Sequence, residues 1–131
     1  MKVFLGGTCN GSNWREELMP HLKIDYFNPV VPTWDKKAQL NEIKEINESD
    51  FLLFVITPLM TGFYSIAEVV DASNKKPEKT ILCVLDEENG KKWTEHQRKS
   101  LTSVEKLVSS NGAFVFGSLE EIISFLNQYS Q

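Results

Sequence analysis

The fold is decided by residues 51–68, which read FLLFVITPLMTGFYSIAE. The apolar run from Phe51 to Ile56 has the length of a buried strand, and the residues from Tyr64 onward have a helical pattern. Glu68 then lies about one turn inside the helix, just beyond the carboxyl end of the strand, where open α/β sheets bind ligands. A carboxylate there is suited to act as a nucleophile, a general base or a capping group. Spacing alone favours a surface glutamate in the first helical turn.

Short apolar runs alternate with longer amphipathic ones along the rest of the chain, which predicts a parallel sheet covered by helices. The five predicted strands span residues 2–5, 24–31, 51–57, 80–85 and 113–116. The five predicted helices span about 13–22, 36–48, 64–74, 94–109 and 119–128. We expect an α/β, flavodoxin-like or Rossmann-like three-layer sandwich with a five-stranded parallel sheet, in a single domain over residues 1–131.

Local signals support these boundaries. Asn13 with Glu16, and Ser118 with Glu121, have the spacing of capping boxes, and Asp35 is a candidate N-cap for the second helix. Asn111-Gly112 favours the end of the fourth helix. The polar segment 86–92 is predicted to be a loop.

Composition excludes several classes of function. The chain has 131 residues, of which 41% are hydrophobic and 24% charged, so we expect a folded domain. The net charge is -4 and no Lys/Arg run occurs, which argues against nucleic acid as a partner. No apolar run approaches a membrane span, and the start of the chain does not resemble a signal peptide. We therefore expect a cytoplasmic protein, with Cys9 and Cys83 as buried or half-buried free thiols and no metal or other cofactor.

Three predicted loops converge at the carboxyl edge of the sheet. In the first, residues 6–13, glycines let backbone N–H groups approach a ligand, which makes Gly7, Thr8, Asn10 and Gly11 candidate binding residues. The pattern is neither a Walker loop nor Gly-x-Gly-x-x-Gly, so a plain strand-to-helix turn is equally consistent with it.

The second loop, residues 29–35, contains two prolines that restrict where its side chains point. Trp34 is suited to stacking on a nucleobase. The alternative is that Trp34 covers the end of the core and that Asp35 only caps a helix.

The third loop contains Thr61 and Gly62 and leads into Tyr64 and Ser65. These last two precede Glu68 by four and three residues, so they share its helical face, and one hydroxyl is placed to hold the carboxylate. His21 and His96 have no catalytic partners in the sequence and are expected to be solvated.

Taken together, these segments resemble the nucleoside 2-deoxyribosyltransferase-like family and the related deoxynucleotide N-glycosidases. The resemblance covers most of the chain. It rests on residues 3–8 (VFLGGT), 28–34 (NPVVPTW), 49–50 (SD) and 61–69 (TGFYSIAEV).

The resemblance implies cleavage of the N-glycosidic bond of a 2-deoxynucleoside or deoxynucleotide, with Glu68 as the nucleophile that forms a covalent glycosyl-enzyme. It implies that an acid on the preceding helix protonates the leaving base. Glu42 stands at that position, and Asp35 is a rival for the role. Family members also form dimers or larger assemblies, so a homodimer or higher homo-oligomer is expected, with Phe63 as a candidate contact.

The chain departs from the family pattern at several positions. Gly62 stands where many transferases carry an Asp, and Thr61 and Ser65 are candidates to supply hydroxyls instead. Asn10 stands where nucleotide-cleaving relatives have an Arg, and Phe4 lacks the hydroxyl of its counterpart. These departures leave open a second function, a catalytically impaired nucleotide-binding module. A receiver-like regulator is disfavoured, because Thr57 and Gly6-Gly7 stand where it needs acids.

Overall fold

The computed structural model describes residues 1–130 of the chain. The strands are β1 (Lys2–Gly7), β2 (Asp25–Phe27), β3 (Phe51–Ile56), β4 (Thr80–Val84), β5 (Glu87–Glu88), β6 (Lys91–Lys92) and β7 (Phe114–Phe116). The helices are α1 (Trp14–Leu18), α2 (Lys36–Glu48), α3 (Tyr64–Lys75), α4 (Glu95–Ser110) and α5 (Leu119–Asn127). There are two short 3-10 turns. Met19–His21 extends α1, and Pro77–Lys79 precedes β4.

Five of the strands form one parallel sheet in the order β2-β1-β3-β4-β7. The register pairs Val3 of β1 with both Tyr26 and Phe51, its partners on either side. The chain runs from β1 to β2 on one side of β1, and then crosses to β3 on the other side of β1. The strand order therefore reverses between β1 and β3. A crevice opens at such a reversal point, at the carboxyl ends of the strands.

Side chains alternate between the two faces of the sheet, as the period of a strand requires. Val3, Leu5, Leu53 and Val55 pack on one face with residues of α1 and α5, such as Trp14 and Ile122. Phe4, Leu52, Phe54 and Ile56 pack on the other face with residues of α3 and α4, such as Val69 and Leu101. The predicted α/β three-layer fold with a five-stranded parallel sheet is therefore confirmed.

Two predicted elements were too long. The second strand was expected over residues 24–31 but ends at Phe27. Pro29 has no amide to extend the ladder, and the side chain of Asn28 accepts the Val30 N–H at 3.1 Å in a local turn. The first helix was expected over residues 13–22 but tightens into a 3-10 turn at Met19, next to Pro20.

The capping predictions had mixed outcomes. Asp35 caps α2, accepting the Ala38 N–H at 2.8 Å, as predicted. The capping box predicted at Asn13 was wrong, because no side-chain hydrogen bond caps the start of α1. At Ser118 only half of the box forms: its hydroxyl accepts the Glu121 N–H, whereas the Glu121 carboxylate accepts the N–H of Gly117.

Segment 86–92 was predicted to be a loop, and this was wrong. It forms an antiparallel hairpin that pairs Glu88 with Lys91 across a turn at Asn89 and Gly90. Both turn residues have positive φ, at 53° and 80°, the backbone that Asn-Gly turns favour in two-residue hairpins.

Helix α2 is attached more loosely than the other long helices. None of its thirteen residues, all of them described, is fully buried. Its apolar residues Leu40 and Ile43 are 58% and 50% exposed. None of the helices in residues 1–130 has both the length and the apolar character needed to cross a bilayer.

Candidate functional site

A cavity of about 220 Å³ lies at the carboxyl edge of the sheet, over the reversal point between β1 and β3. Its walls come from β1 and the loop that follows it, the loop between β2 and α2, and helices α1, α2 and α3. The lining residues that bear on function are Gly7, Arg15, Trp34, Glu42, Ser65 and Glu68.

A second cavity of about 260 Å³ adjoins the first and shares Gly7, Cys9, Ser65 and Glu68 with it. The predicted binding residues that line the second cavity but not the first are Thr8, Asn10, Thr61, Gly62 and Tyr64. Glu68 thus lines both of these cavities, and it also lines a third cavity of about 280 Å³. Together the first two cavities form a groove large enough for a sugar that carries a ring substituent.

The β1–α1 loop follows a path that its sequence makes possible. Gly7 has φ +115°, and a Cβ at this position would collide with the backbone of Val55 on β3. The loop is then fixed by Thr8, whose N–H donates to the Val55 carbonyl at 2.9 Å and whose hydroxyl accepts the Thr57 N–H at 3.0 Å. The floor of the groove is therefore bound directly to the neighbouring strand.

Glu68 lies one turn inside α3, as predicted, and is half-buried. Burial, and secondarily the negative charge of Glu42, raise the pKa of Glu68 to about 7. The expected hydrogen bond from Tyr64 or Ser65 does not contribute to this shift, and Tyr64 is 78% exposed. Glu68 is consequently a carboxyl group that changes protonation state near neutral pH.

Glu42 and Arg15 complete the charged part of the cavity. Burial raises the pKa of Glu42 above its ordinary value, and the positive charge of Arg15 opposes that rise. Burial in turn lowers the pKa of Arg15. Two carboxyl groups and one guanidinium therefore influence one another, which is the environment expected of acid–base chemistry.

Arg15 is committed mainly to the backbone. Its Nε donates to the Leu5 carbonyl at 3.0 Å, and its Nη1 donates to the Thr8 carbonyl at 2.7 Å. Its guanidinium also stacks 4.3 Å over the Trp14 ring. Most of its donors thus hold the β1–α1 loop, and few remain for a bound anion.

The structure does not bring all the predicted site residues together. Trp34 lines the first cavity and is 56% exposed. Asp35 is exposed, caps α2 and lines neither cavity, and Gly11 also lies outside both. Asn10 connects two loops, because its side-chain amide donates to the Thr61 hydroxyl at 3.2 Å.

Sequence reasoning missed or misjudged several features. Cys83 is buried as expected, but Cys9 is exposed and borders both cavities, because it follows the turn at Gly7. Arg15 was not among the predicted site residues, and its burial depends on carbonyls that the sequence does not locate. His21 and His96 are exposed, as predicted. Among residues 1–130, no three or more His, Cys, Asp and Glu side chains group to hold a metal ion.

The fold and the groove define an α/β protein with two acids converging at the sheet's reversal point. The family model for nucleoside 2-deoxyribosyltransferase-like proteins matches residues 1–88, out of 131 in the chain. The chain therefore belongs to the nucleoside 2-deoxyribosyltransferase-like family. The matched region contains every residue that lines the two cavities. No curated protein matches the chain.

Family membership supports, in general terms, a role in glycosyl transfer on nucleosides and a small-molecule nucleoside as partner.

Proposed function

We propose that the protein cleaves the N-glycosidic bond of a deoxynucleoside, or a related nucleoside or nucleotide, with Glu68 as nucleophile. The single observation that carries the proposal is the half-buried Glu68 carboxyl, which lines both cavities, with Glu42 lining the first of them. A groove with two acids is what a double-displacement glycosyl reaction requires.

In the first step, an oxygen of the ionised Glu68 carboxylate attacks the anomeric carbon while the bond from that carbon to the base nitrogen breaks. The departing base takes the bonding electron pair and receives a proton from Glu42, whose pKa burial raises above its ordinary value. Asp35 is a weaker choice for this proton, because it lies outside both cavities. The product is a glycosyl ester of Glu68.

In the second step, water or a second nucleobase attacks the anomeric carbon, and the bond from that carbon to the Glu68 oxygen breaks. The Glu68 carboxylate is regenerated, and Glu42, left ionised by the first step, takes the proton from the attacking water or base. Water gives hydrolysis and a second base gives transfer. Trp34 lines the first cavity together with Glu68 and is suited to stack on the base during both steps.

The direct test compares wild type with Glu68→Gln in the release of free base from a panel of deoxynucleosides. We expect a loss of at least about 10³-fold in kcat, since the nucleophile is removed. Asp71→Asn is the matched control, because Asp71 is an exposed acid one turn along α3 in an ion pair with Lys75. Equal turnover by wild type and Glu68→Gln would refute the proposal.

A second candidate function is a nucleotide-binding module without turnover. It is favoured by Gly62, which borders the second cavity without a side chain where many transferases carry an acid. Calorimetry showing micromolar nucleoside binding by wild type, with no free base formed, would favour this second candidate. Absence of nucleoside and nucleotide binding would count against both functions.

We further propose that the chain is one domain over residues 1–131 and that it forms a homodimer or a higher homo-oligomer. Pairing of β7 with β4 supports the single domain up to residue 130, and Gln131 lies outside the described residues. Support for the oligomer comes from exposed apolar side chains: Val30, Val31 and Trp34, which line the first cavity, together with Leu40, Ile43 and Phe63.

A further inference from the structure

The hairpin formed by β5 and β6 makes a direct connection to the β1–α1 loop, across 75 residues of sequence. The hydroxyl of Ser12 donates to the Glu88 carboxylate, at 2.7 Å to Oε1 and 2.9 Å to Oε2. The backbone N–H of Asn13 donates to Oε2 of the same carboxylate at 2.8 Å. One acidic side chain therefore binds two consecutive residues at the end of the loop.

The carboxylate is held in its charged form. Partial burial raises the pKa of Glu88, but hydrogen bonds from Thr57, Asn13 and Ser12 outweigh it, so the pKa lies below its ordinary value. Hydrogen bonds to an ionised acceptor are shorter and stronger than neutral ones. The contact is thus stable through the neutral pH range.

The hairpin itself is fixed to the sheet. At its entry, the N–H of Leu85 donates to the Ile56 carbonyl at 2.9 Å. At its exit, the indole N–H of Trp93 donates to the Leu85 carbonyl at 2.8 Å. The two-residue turn at Asn89-Gly90 keeps the hairpin short, so Glu88 is presented from a support with little freedom to move.

The β1–α1 loop is consequently held at both ends. Thr8 binds it to β3 at one end, and Glu88 binds it through Ser12 and Asn13 at the other. Between these two anchors lie Cys9 and Asn10, which line the groove. Loops that are fixed in advance lose less conformational entropy when a ligand binds.

We propose that Glu88 is a positioning residue for the nucleoside site, holding Cys9 and Asn10 in the arrangement that substrate binding requires. The inference rests on the proposed function for its substrate. Glu88 itself lines neither cavity, so its effect on the substrate is indirect.

The test uses Glu88→Gln, which keeps the size of the side chain but removes its charge. We expect the KM for the deoxynucleoside to rise about 5- to 20-fold while kcat stays within about twofold, because loop order is lost and the nucleophile is untouched. The matched control is Glu87→Gln, since Glu87 is an exposed acid on the same strand. A KM for Glu88→Gln equal to that of the control would overturn the proposal.

Ser12→Ala tests the same contact from the other side and guards against misfolding of the hairpin variant. It should raise KM, though by less than Glu88→Gln because the Asn13 contact remains. The double variant should add little to the effect of Glu88→Gln, because the Ser12 contact is shared by both changes. Fully additive effects would overturn the proposal, since Ser12 and Glu88 would then act separately.

Hydrogen exchange of the segment 8–13 needs no substrate and separates this inference from the proposed function. We expect faster exchange in Glu88→Gln than in Glu87→Gln, with the largest change at the Asn13 amide. Unchanged exchange overturns the inference even if the wild type is active. If the wild type neither binds nor cleaves nucleosides, the proposed function and the substrate role of Glu88 both fail, while faster exchange still supports Glu88 as the residue that holds the loop.

Discussion

Glu42 on α2 and Glu68 on α3 border the same cavity, and the negative charge of Glu42 contributes to raising the pKa of Glu68 to about 7. The positive charge of Arg15 acts on Glu42 in the opposite direction. The protonation of Glu68 therefore depends on the charge of Glu42. In the proposed reaction one of the two acids must be ionised to attack, and the other must carry a proton for the base.

The pH dependence of the reaction follows from this relationship. Activity requires one ionised and one protonated carboxyl group, so kcat/KM should be bell-shaped in pH, with one limb near 7, the pKa of Glu68 in the free protein. Replacing Glu42 by Gln removes a negative charge that raises this pKa, so the inflection should move to lower pH. The same variant should also lower kcat, because the acid that protonates the base is lost. The measurement is kcat/KM and kcat between pH 5 and 9.

Glu48→Gln provides the control for Glu42→Gln, because Glu48 is an exposed acid on the same helix. Its profile should match that of the wild type. If Glu42→Gln left the inflection where it is in the wild type, the two carboxyl groups would not be coupled.

The raised pKa of Glu68 also affects stability. A carboxyl whose pKa is higher in the folded state stabilises the fold below its ordinary value of 4.5, and that stabilisation is lost as pH rises through about 7. Glu68→Gln should therefore be more stable than the wild type at pH 8.5, by about 1–2 kcal/mol after allowing for partial solvent exposure. The two proteins should differ less at pH 4.5.

Urea unfolding at these two pH values measures the difference in the free energy of unfolding. Asp71→Asn again serves as the control, with no comparable gain expected at pH 8.5. A Glu68→Gln protein less stable than the wild type at pH 8.5 would indicate a carboxylate stabilised by its surroundings.

The sequence predicted the sheet and the place of Glu68 because both depend on local patterns. The apolar runs 51–56 and 80–84 identify buried strands, and the helix start near Tyr64 places Glu68 one turn further on. The Asp35 cap was equally readable, since its oxygen bonds an N–H only three residues away.

What the sequence did not predict depends on contacts between distant residues. Glu88 is bound to Ser12, and Arg15 to carbonyls at the end of β1, and no local pattern encodes either pairing. The hairpin that carries Glu88 did have a signal in Asn89-Gly90, whose positive φ values suit a two-residue turn. Its strands are only two residues long, too short for alternation to be recognised.

Trp34 should report nucleoside binding directly. Its indole borders the first cavity and is 56% exposed, whereas Trp14 is buried. A nucleoside that stacks on Trp34 should quench the protein's fluorescence, and Trp34→Leu should raise KM by about tenfold or more, since stacking on an aromatic stabilises a bound base by ~1–3 kcal/mol. Quenching that persists in Trp34→Leu would assign the signal to another tryptophan and contradict the stacking role.

The exposed apolar face of α2 predicts self-association. Leu40 and Ile43 occupy this face, and a stable interface needs roughly 1,200–2,000 Å² in total. Sedimentation equilibrium should give a dimer or larger assembly for the wild type and a monomer for the Leu40→Glu, Ile43→Glu double variant. Leu107→Glu on α4 is the control, since Leu107 is similarly exposed at 48%. A monomeric wild type at 100 μM would contradict the prediction.

The central claim, that Glu68 forms a covalent bond with the sugar, is tested most directly by trapping with a 2-fluoro sugar nucleoside and peptide mass spectrometry. Fluorine at this position destabilises the oxocarbenium-like transition state and slows breakdown of the glycosyl-enzyme. We expect the peptide containing Glu68 to gain the mass of the fluorosugar, and the same peptide of Glu68→Gln to gain none. A label on Glu42, or release of free base by the wild type from ordinary deoxynucleosides with no label on any carboxylate, would contradict it.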